Sequence, residues 1–350
     1  MTQPRRRSHR KQPVTIKEVA EKAGVSQMTV SRVINRQGLV KEATREKVEQ
    51  TISELHYRPN LMARRLAGGK SLFIGLVYHN PSQGYLSKLL VGALNACRDG
   101  GHHLVLEDLS SEDGELNPQA VIDRLRQSGL DGIILTPPIS NNPDVIAALQ
   151  KEGIAYVGIA PGATDPDGLR VEIDDAEAAD SMTQYLIDQG HRRIGFVMGH
   201  KDHAASISRY NGFKLAMKRN NLEINPDHVE TGAFTYYSGI EAGRKILTTK
   251  TPPTAIFASN DDMAAGMIAA ARGFGFKVPK DISVVGFDDT DLATTFWPQL
   301  TTVRQPIAQM AEKSVDLLSS YIHNDDTTEI ENRRLLEFSI VKRDSAIPPS

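Results

Sequence analysis

From residue 72 onward, short apolar runs alternate with segments of helix length, and this alternation limits the possible folds more than any other feature. The runs are almost continuously hydrophobic, as strands are when helices cover both faces of a parallel sheet. Seven such strands are predicted at 72–78, 102–108, 132–138, 155–160, 193–199, 254–260 and 282–289. The pattern predicts an α/β body built from doubly wound parallel sheets.

Polar side chains stand at the ends of several predicted strands, namely Asn80, Thr136, Asn260, Asp261, Asp262, Asp288 and Asp289. Ligands of doubly wound sheets bind at the carboxyl ends of the strands. Two such units facing each other would form a cleft lined by amide and carboxylate groups. No strand is followed by a phosphate loop or a well-placed GxGxxG, so no nucleotide site is predicted.

The sequence contains no nucleophile–base pair and no His/Cys cluster with the spacing of metal ligands. We therefore expect no enzyme activity, no metal and no cofactor. The histidines at strand starts and loop ends are interpreted mostly as solvated or capping groups: His102, His103, His191, His200 and His203.

Residues 15–35 contain two short amphipathic helix patterns that meet at Gly24. Thr15 and Glu18 have the spacing of a capping box, and Ser26 can cap the second helix. Gly24 suits the left-handed position that ends a helix. The arrangement is typical of a helix-turn-helix, whose second helix enters the DNA major groove. An ordinary helical hairpin is the alternative.

In the second helix, Val30, Val33 and Ile34 form the expected buried stripe. The polar or exposed positions are those available to DNA. They are Gln27, Met28, Thr29, Ser31 and Arg32.

A third helix is predicted at 41–56, followed by a break at Pro59 and a short helical run at 61–67 that Asn60 can cap. Such a run is too short to be stable alone, so it is interpreted as a hinge that becomes ordered against a partner.

Three side chains of this hinge suit DNA. Arg64 and Arg65 suit phosphates, and Leu66 suits a wedge into the minor groove. The alternative is a linker whose leucine packs loosely on the next domain.

Charge is distributed unevenly along the chain. Residues 1–70 hold 16 Lys and Arg against 6 Asp and Glu, whereas the remainder holds 25 against 37. A basic head on an acidic body indicates a polyanionic partner for the head. The basic residues of 1–13 are interpreted as a disordered arm, which either adds phosphate contacts or is a plain solvated tail.

Composition also bears on location. The single cysteine, Cys97, excludes an intramolecular disulfide and fits a reducing compartment, with a buried, inert thiol as its expected state. No apolar run approaches transmembrane length, and no hydrophobic stretch of a secretory signal follows the basic arm. We expect a cytoplasmic protein without membrane contact, associated with the nucleoid when bound to DNA.

The chain resembles the LacI/GalR family of bacterial transcription regulators from Val14 to about Arg343. The motifs that carry the resemblance are TIKEVAEKAGVSQMTVSRVIN, TREKVEQTISELHYRPN, LMARRLAGGKS, HRRIGFVMG, ASNDDMAAGMIAA, DISVVGFDDT and PQLTTVRQP. It implies a small all-α helix-turn-helix head, a hinge helix and a type I periplasmic-binding-protein-like body of two subdomains with three crossing connections.

The resemblance also implies boundaries. They are a helix-turn-helix domain at 14–59, a hinge and linker at 60–71, and an effector-binding and dimerisation domain at 72–345. Subdomain 1 would comprise about 72–171 plus 304–331, and subdomain 2 about 172–303 plus 332–345, with 335–343 as its final strand.

For the head, the resemblance implies that Arg32 reads a base, and a guanine suits its two parallel hydrogen bonds. Gln27 and Met28 would set operator preference, with Met28 suited to a thymine methyl. Lys41 stands at the start of the third helix, where the family often has Ser or Thr, so a slightly weaker helix cap is expected there. The full set of implied DNA-binding residues is Thr15, Ser26, Gln27, Met28, Thr29, Ser31, Arg32, Asn35, Asn60, Arg64 and Leu66.

For the body, the matched effector residues are Arg209, Phe234, Asn260, Asp262 and Asp288, with Ile307 and Met310 as apolar lining. Arg209 and Asp288 can each bind two neighbouring hydroxyls, and Phe234 can cover the apolar face of a sugar. The alternatives are a surface ion pair for Arg209 and a turn cap for Asp288.

The segment after the first strand departs from the family pattern. It contains Tyr78, Asn80, Ser82, Gln83 and Tyr85. Hydroxyl, amide and aromatic groups of this kind are those that carbohydrate pockets use. Tyr85 is equally suited to a dimer contact. Apart from Lys88, no basic cluster indicates a phosphorylated ligand.

These observations predict a homodimeric repressor of carbohydrate genes that an unphosphorylated mono- or oligosaccharide releases from a palindromic double-stranded operator. No leucine heptads follow the last strand, so a tetramer is not expected. The alternatives are a non-sugar or corepressor ligand of purine type and, from another class, the sugar-binding protein of a transport system.

Overall fold

The computed structural model describes residues 15–34, 40–55, 71–78, 82–108, 118–323 and 331–349. They belong to two compact units, a head within 1–71 and a body within 72–350. Each unit has its own hydrophobic core.

The described part of the head contains helices α1 (Ile16–Ala23), α2 (Gln27–Ile34) and α3 (Glu42–Glu54). Thr15 and Glu18 form the predicted capping box, and Gly24 ends α1 with φ 65°. The Thr29 N–H donates to Ser26 Oγ at 3.1 Å, as expected for a cap of α2. Lys41 precedes α3 without a side-chain capping bond.

The first sheet of the body has the strand order β11-β5-β4-β3-β1-β2, with all neighbours parallel. Its strands are β1 (Phe73–Tyr78), β2 (His103–Asp108), β3 (Gly132–Leu135), β4 (Tyr156–Ile159), β5 (Leu169–Glu172) and β11 (Arg333–Leu335). The helices of this first subdomain are α4 (Gln83–Gly100), α5 (Pro118–Ser128), α6 (Pro143–Glu152) and α12 (Ile307–His323).

The second sheet has the order β12-β10-β9-β8-β6-β7 and is parallel except for β12 against β10. Its strands are β6 (Ile194–Met198), β7 (Val229–Thr231), β8 (Ala255–Ala258), β9 (Ser283–Asp288), β10 (Thr301–Arg304) and β12 (Ser339–Val341). The helices of this second subdomain are α7 (Asp175–Asp188), α8 (Ala204–Arg219), α9 (Tyr236–Leu247), α10 (Asp261–Gly273) and the short α11 (Leu292–Thr295).

The expected final strand at 335–343 is wrong as a single element. Arg333–Leu335 pairs with β5 of the first sheet, whereas Ser339–Val341 pairs with β10 of the second. The Leu336 N–H still donates to Glu172 O at 2.8 Å, so the chain leaves the first sheet only after that residue. One alternating pattern serves two sheets, and periodicity alone cannot reveal the break between them.

The expected subdomain bounds shift accordingly. Residues 333–335 lie in the first sheet instead of the second, Glu172 still belongs to the first sheet, and Arg304 ends a strand of the second. The chain passes between the sheets three times, after β5, after β10 and after β11.

Close helix contacts in the body depend on glycine. A Cβ added at Gly92 of α4 would lie 2.1 Å from the carbonyl oxygen of Ala308 in α12, and one at Gly212 of α8 would lie 2.0 Å from Ala176 O in α7. These helix pairs therefore pack backbone to backbone. Among the described residues, no helix is both long and apolar enough to cross a membrane.

Candidate functional site

The outer face of α2 presents the side chains expected to contact DNA. Gln27, Met28 and Arg32 are exposed, and 65% of the Met28 surface is accessible although the residue is apolar. The opposite face buries Val30 and Val33 in the core of the head. The helix thus offers an amide, a methyl-binding group and a guanidinium on one side, which are groups that read base edges.

Of the other residues predicted to bind DNA, four lie in the described part of the head and four do not. Thr15 and Ser26 are exposed caps, while Thr29 and Ser31 are half-buried, and the Thr29 and Ser26 hydroxyls lie 2.9 Å apart. Four predicted DNA-binding residues lie outside the described part of the chain: Asn35, Asn60, Arg64 and Leu66.

A cavity with about 410 Å³ of empty space lies between the two subdomains of the body; we call it the central cavity. It is lined by Ser82, Tyr85, Pro137, Ala160, His203, Ala205, Arg209, Phe234, Asn260, Asp288 and Gln305.

Arg209 is held rigidly in this cavity and is not a surface ion pair. Its Nε donates to Asp175 Oδ1 at 2.7 Å, and its Nη1 donates to Ser259 O at 2.5 Å. The guanidinium carbon lies 3.5 Å from the centre of the Phe287 ring, and Nη1 lies 3.8 Å from Asp288 Oδ1. A guanidinium fixed in this way is a preorganised donor for a ligand.

Asp288 faces Arg209 from the end of β9. The Gln305 amide donates to its Oδ1 at 2.6 Å, so this carboxylate does not cap a turn. Burial raises the pKa of Asp288 well above its ordinary range, and the Arg209 charge opposes that shift. The site therefore holds a carboxyl group whose proton is sensitive to a neighbouring ligand.

The backbone at this point is strained, because Asp288 and Asp289 have φ values of 111° and 53°. Arg304 and Arg343 each donate to the Asp289 carboxylate at 2.6 Å. A strained backbone conformation persists only where its surroundings hold it in place. Here the ion pairs of Arg304 and Arg343 hold Asp289.

Phe234 forms an apolar wall of the central cavity, also with a positive φ of 58°. Its ring centre lies 4.7 Å from that of His203. A Cβ at Gly199 would lie 1.9 Å from Phe234 Cζ, so only glycine leaves room for this ring.

Asn260 lines the cavity, but both ends of its amide are engaged in the protein. Oδ1 accepts from Met263 N at 2.9 Å and caps α10, and Nδ2 donates to Phe234 O at 3.0 Å. Its main effect is to fix the Phe234 backbone. A direct ligand contact stays a prediction.

Asp262 lies beside the cavity, where Ser82 Oγ of the first subdomain donates to its Oδ2 at 2.7 Å. Burial raises the pKa of Asp262, and the Ser82 hydrogen bond opposes that shift. Together Ser82 and Asp262 form a hydrogen bond across the cleft.

Of the effector-binding residues predicted in the first subdomain, some line the central cavity and others do not. Tyr85 is buried in the cavity wall, and burial raises the pKa of its hydroxyl. Thr136 instead donates to Val77 O at 3.1 Å, and Ile307 lies in the hydrophobic core. Tyr78 is half-buried at the end of β1.

Among the described residues, Tyr78, Thr136, Asp262 and Ile307 do not line the central cavity. Asn80 lies outside the described residues.

Sequence reasoning missed His203 and Gln305. The expectation that His203 is solvated or capping is wrong, because the residue is buried against Phe234 and makes no side-chain cap to α8. His191 is also buried, with its ring nitrogens on Thr254 and Ile347 O. Gln305 directly follows β10, and its place in the motif PQLTTVRQP was the signal that could have identified it.

Asp261 is a further buried carboxyl near the cavity. Its oxygens accept from Thr302 Oγ1 at 2.6 Å, Thr290 N at 2.7 Å and Thr290 Oγ1 at 3.0 Å. Burial raises its pKa to about 7 despite these donors. In the part of the chain that the structure describes, no group of three or more His, Cys, Asp or Glu residues is arranged to hold a metal ion.

Family models match both units. Residues 15–60 match the model described as bacterial regulatory proteins, lacI family, and residues 183–346 match that of a periplasmic binding protein-like domain. The ribose operon repressor of Escherichia coli (strain K12) is 34% identical over 321 residues, which are 92% of this chain and 96% of that protein. The HTH-type transcriptional repressor PurR of Serratia proteamaculans (strain 568) is 36% identical over 307 residues, 87% and 89% of the two chains.

Solved structures with similar folds include regulators with bound ligands. The lac repressor dimer bound to operator and the anti-inducer ONPF has a TM-score of 0.81 at 29% identity, covering 96% of this chain and 100% of that one. The complex of the transcriptional regulator CelR with cellobiose has a TM-score of 0.71 at 30% identity, covering 95% and 99%.

Proposed function

Because the chain belongs to the lacI family of bacterial regulatory proteins, we propose that an unphosphorylated sugar releases it from a palindromic operator of carbohydrate genes. Its relatives are DNA-binding transcriptional repressors, so the chain is a repressor of this kind and not an enzyme. The sugar, the palindrome and the dimer are the proposal.

The observation that carries the sugar proposal is the trio of Arg209, Asp288 and Phe234 around one cavity. The guanidinium donates, the carboxyl group accepts, and the ring covers an apolar face, which together suit a polyhydroxyl ring. The relative named ribose operon repressor and the CelR–cellobiose complex support the same ligand class.

Release follows if the sugar prefers one arrangement of the two subdomains over another. Hydrogen bonds across the cleft, such as Ser82 to Asp262, define one arrangement. A ligand shifts DNA affinity only by its differential affinity for the arrangements.

We propose a homodimer because each subdomain exposes apolar side chains. Val91, Leu94 and Leu106 are each about half exposed on the first subdomain, and Tyr237 and Trp297 are more exposed on the second. Val91 and Leu94 lie three residues apart on one exposed face of α4, and an exposed apolar face of this kind is typical of an interface. Two copies of α2 related by a two-fold axis would read a palindrome. A DNA-bound repressor would also be cytoplasmic and nucleoid-associated.

DNA recognition is tested with a duplex that the full-length protein selects from random sequences. Arg32→Ala is expected to weaken binding of this duplex about 10-fold or more, as expected for loss of a bidentate base contact. Lys17→Ala on the exposed face of α1 is the matched control. Unchanged binding by the Arg32 variant in a fluorescence anisotropy titration would contradict the assigned recognition face.

The ligand class is tested on the same complex. Neutral sugars are titrated against the protein–operator complex, beside purines and nucleosides. Release by a sugar supports the proposal. If a purine or nucleoside alone changes binding, in either direction, the sugar assignment is wrong and the corepressor alternative takes its place.

A further inference from the structure

A second cavity adjoins the central cavity and shares Ala160 and Ala205 with it; we call it the side cavity. Its empty space is about 620 Å³. It is lined by Ala160, Gly162, Ala163, Arg170, Glu172, Ile173, Asp174, Asp175, Ala176, Ala204, Ala205, Ser208 and Arg333. The two cavities therefore meet at one junction between the subdomains.

The residues at this junction are small. Ala160 and Ala205 border both cavities. Beside them, Gly162 of the first subdomain approaches Ala204 of the second so closely that an added Cβ at Gly162 would lie 2.5 Å from the Ala204 Cβ. A larger side chain at Ala160 or Ala205 would take space from the two cavities that these residues line.

One ion pair bridges the two cavities. Asp175 lines the side cavity and accepts from Arg209 Nε at 2.7 Å, while Arg209 lines the central cavity. A ligand that enters both cavities would thus contact a single preorganised pair from its two sides.

The side cavity has its own charged groups. Glu172 accepts from Arg333 Nε at 2.8 Å and from Arg170 Nη2 at 3.1 Å, so its charge is neutralised. The Arg333 side chain is 54% exposed, and its two terminal nitrogens have no protein partner among the described residues. These donors are available to hydroxyl oxygens of a ligand.

We propose that the side cavity is a second subsite of the effector site, and that the effector is a disaccharide or longer glycoside with its second ring held by Arg333. The proposal rests on the sugar-responsive function above. The side cavity's lining is chiefly polar and its charges are largely paired, which favours a second neutral sugar ring over an aromatic or strongly charged group.

The first test compares single sugars with the disaccharides built from them. Full-length protein on its selected operator is titrated with glucose, galactose, ribose and xylose, and with cellobiose, maltose, lactose, melibiose and trehalose. We expect one disaccharide to act at a concentration about 10-fold or more below that of either constituent, since a charged hydrogen-bond donor adds this much. Thermal stabilisation by the same sugars reports binding without DNA.

The second test alters the side cavity alone. Arg333→Gln replaces the charged guanidinium donors by a shorter, neutral amide, and Ala163→Phe fills the cavity from an exposed position. Both are expected to raise the disaccharide concentration needed for release about 10-fold, leaving the response to single sugars unchanged. Arg334→Gln is the matched control, because Arg334 lies on the same strand and pairs with the exposed Glu331.

The outcomes separate the two proposals. If a single sugar acts as well as any disaccharide, or if the disaccharide response survives both variants, the second subsite is rejected while the sugar-responsive function stands. If no sugar of the panel stabilises or releases the protein, the proposed function fails and the subsite fails with it.

Discussion

Asp261 is a residue whose buried environment affects stability directly. It is fully buried at the start of α10, and its ordinary pKa of 3.8 is raised to about 7. Three hydrogen-bond donors favour the carboxylate, but loss of hydration outweighs them. Asp262 and Asp288 shift in the same direction for the same main reason.

This shift predicts a pH dependence. The unfolded chain loses the Asp261 proton near pH 3.8, whereas the folded chain keeps it until about pH 7. Between these values the folded state binds more protons, so raising the pH lowers the free energy of unfolding by about 1.4 kcal/mol per pH unit. Above pH 7 the contribution is constant.

Asp261→Asn is expected to reduce this slope, with Asp262 and Asp288 supplying the remainder. The asparagine oxygen can accept from Thr290, and the Thr302 hydroxyl can turn to accept from the new amide. Urea unfolding at pH 5 and pH 8 measures the difference, with Asp123→Asn on exposed α5 as control. An unchanged slope in the Asp261 variant would contradict the assignment.

At the level of elements, helix packing in the body depends on glycine at contact points. Gly92→Ala is expected to destabilise the protein by about 1–3 kcal/mol, because α4 and α12 must separate to admit the methyl group. Gly273→Ala in α10 meets no atom within 4 Å and is expected to be neutral or slightly stabilising. Chemical denaturation of both variants tests this; equal stabilities would show that α4 can shift freely.

The same elements show what the sequence could predict. Long apolar strands and the caps at Thr15, Gly24 and Ser26 were recognisable because local chemistry determines them. The strands β5, β7 and β10 were not predicted, since polar residues such as Arg170 and Glu230 interrupt them, whereas the equally short β3, β4 and β8 are continuously apolar. Their pairing is decided by neighbours distant in sequence.

In the central cavity, too, some residues could be predicted from the sequence and others depend on neighbours distant in sequence. Arg209, Phe234 and Asp288 were chosen by family motif, and the fold does bring them together. Thr136 also ends a strand, but its hydroxyl is used by Val77 O, and sequence cannot distinguish such a backbone bond from a ligand contact. His203 was missed because its burial depends on Phe234, which is distant in sequence.

For the body as a whole, closure of the cleft depends on a few hydrogen bonds between its subdomains. Lys88 Nζ of α4 donates to Asp289 O of the second subdomain at 2.7 Å and lies 3.7 Å from the exposed carboxylate of Asp291. Asn141 Oδ1 accepts from Ala204 N at 3.3 Å nearby.

Lys88→Met is expected to weaken binding of the sugar identified by operator release about 10-fold, because a charged hydrogen bond that favours the closed cleft is lost. Isothermal calorimetry measures the affinity, and small-angle scattering of the sugar-free protein should show a larger radius of gyration. Lys313→Met, whose partner Asp316 lies on the same helix, is the control. If both variants bind the sugar with equal affinity, Lys88 does not contribute to closure of the cleft.

The three passages of the chain between the two sheets have a consequence for synthesis on the ribosome. The head has its own core, and the helices that the structure describes in it are all present once α3 has emerged. Each sheet of the body, in contrast, acquires an edge strand only from residues 333–341. A nascent chain therefore carries a foldable DNA reader long before its ligand sensor is complete. The sensor is complete only when residues 333–341 have left the ribosome, and a chaperone has this interval in which to bind the unfinished sheets.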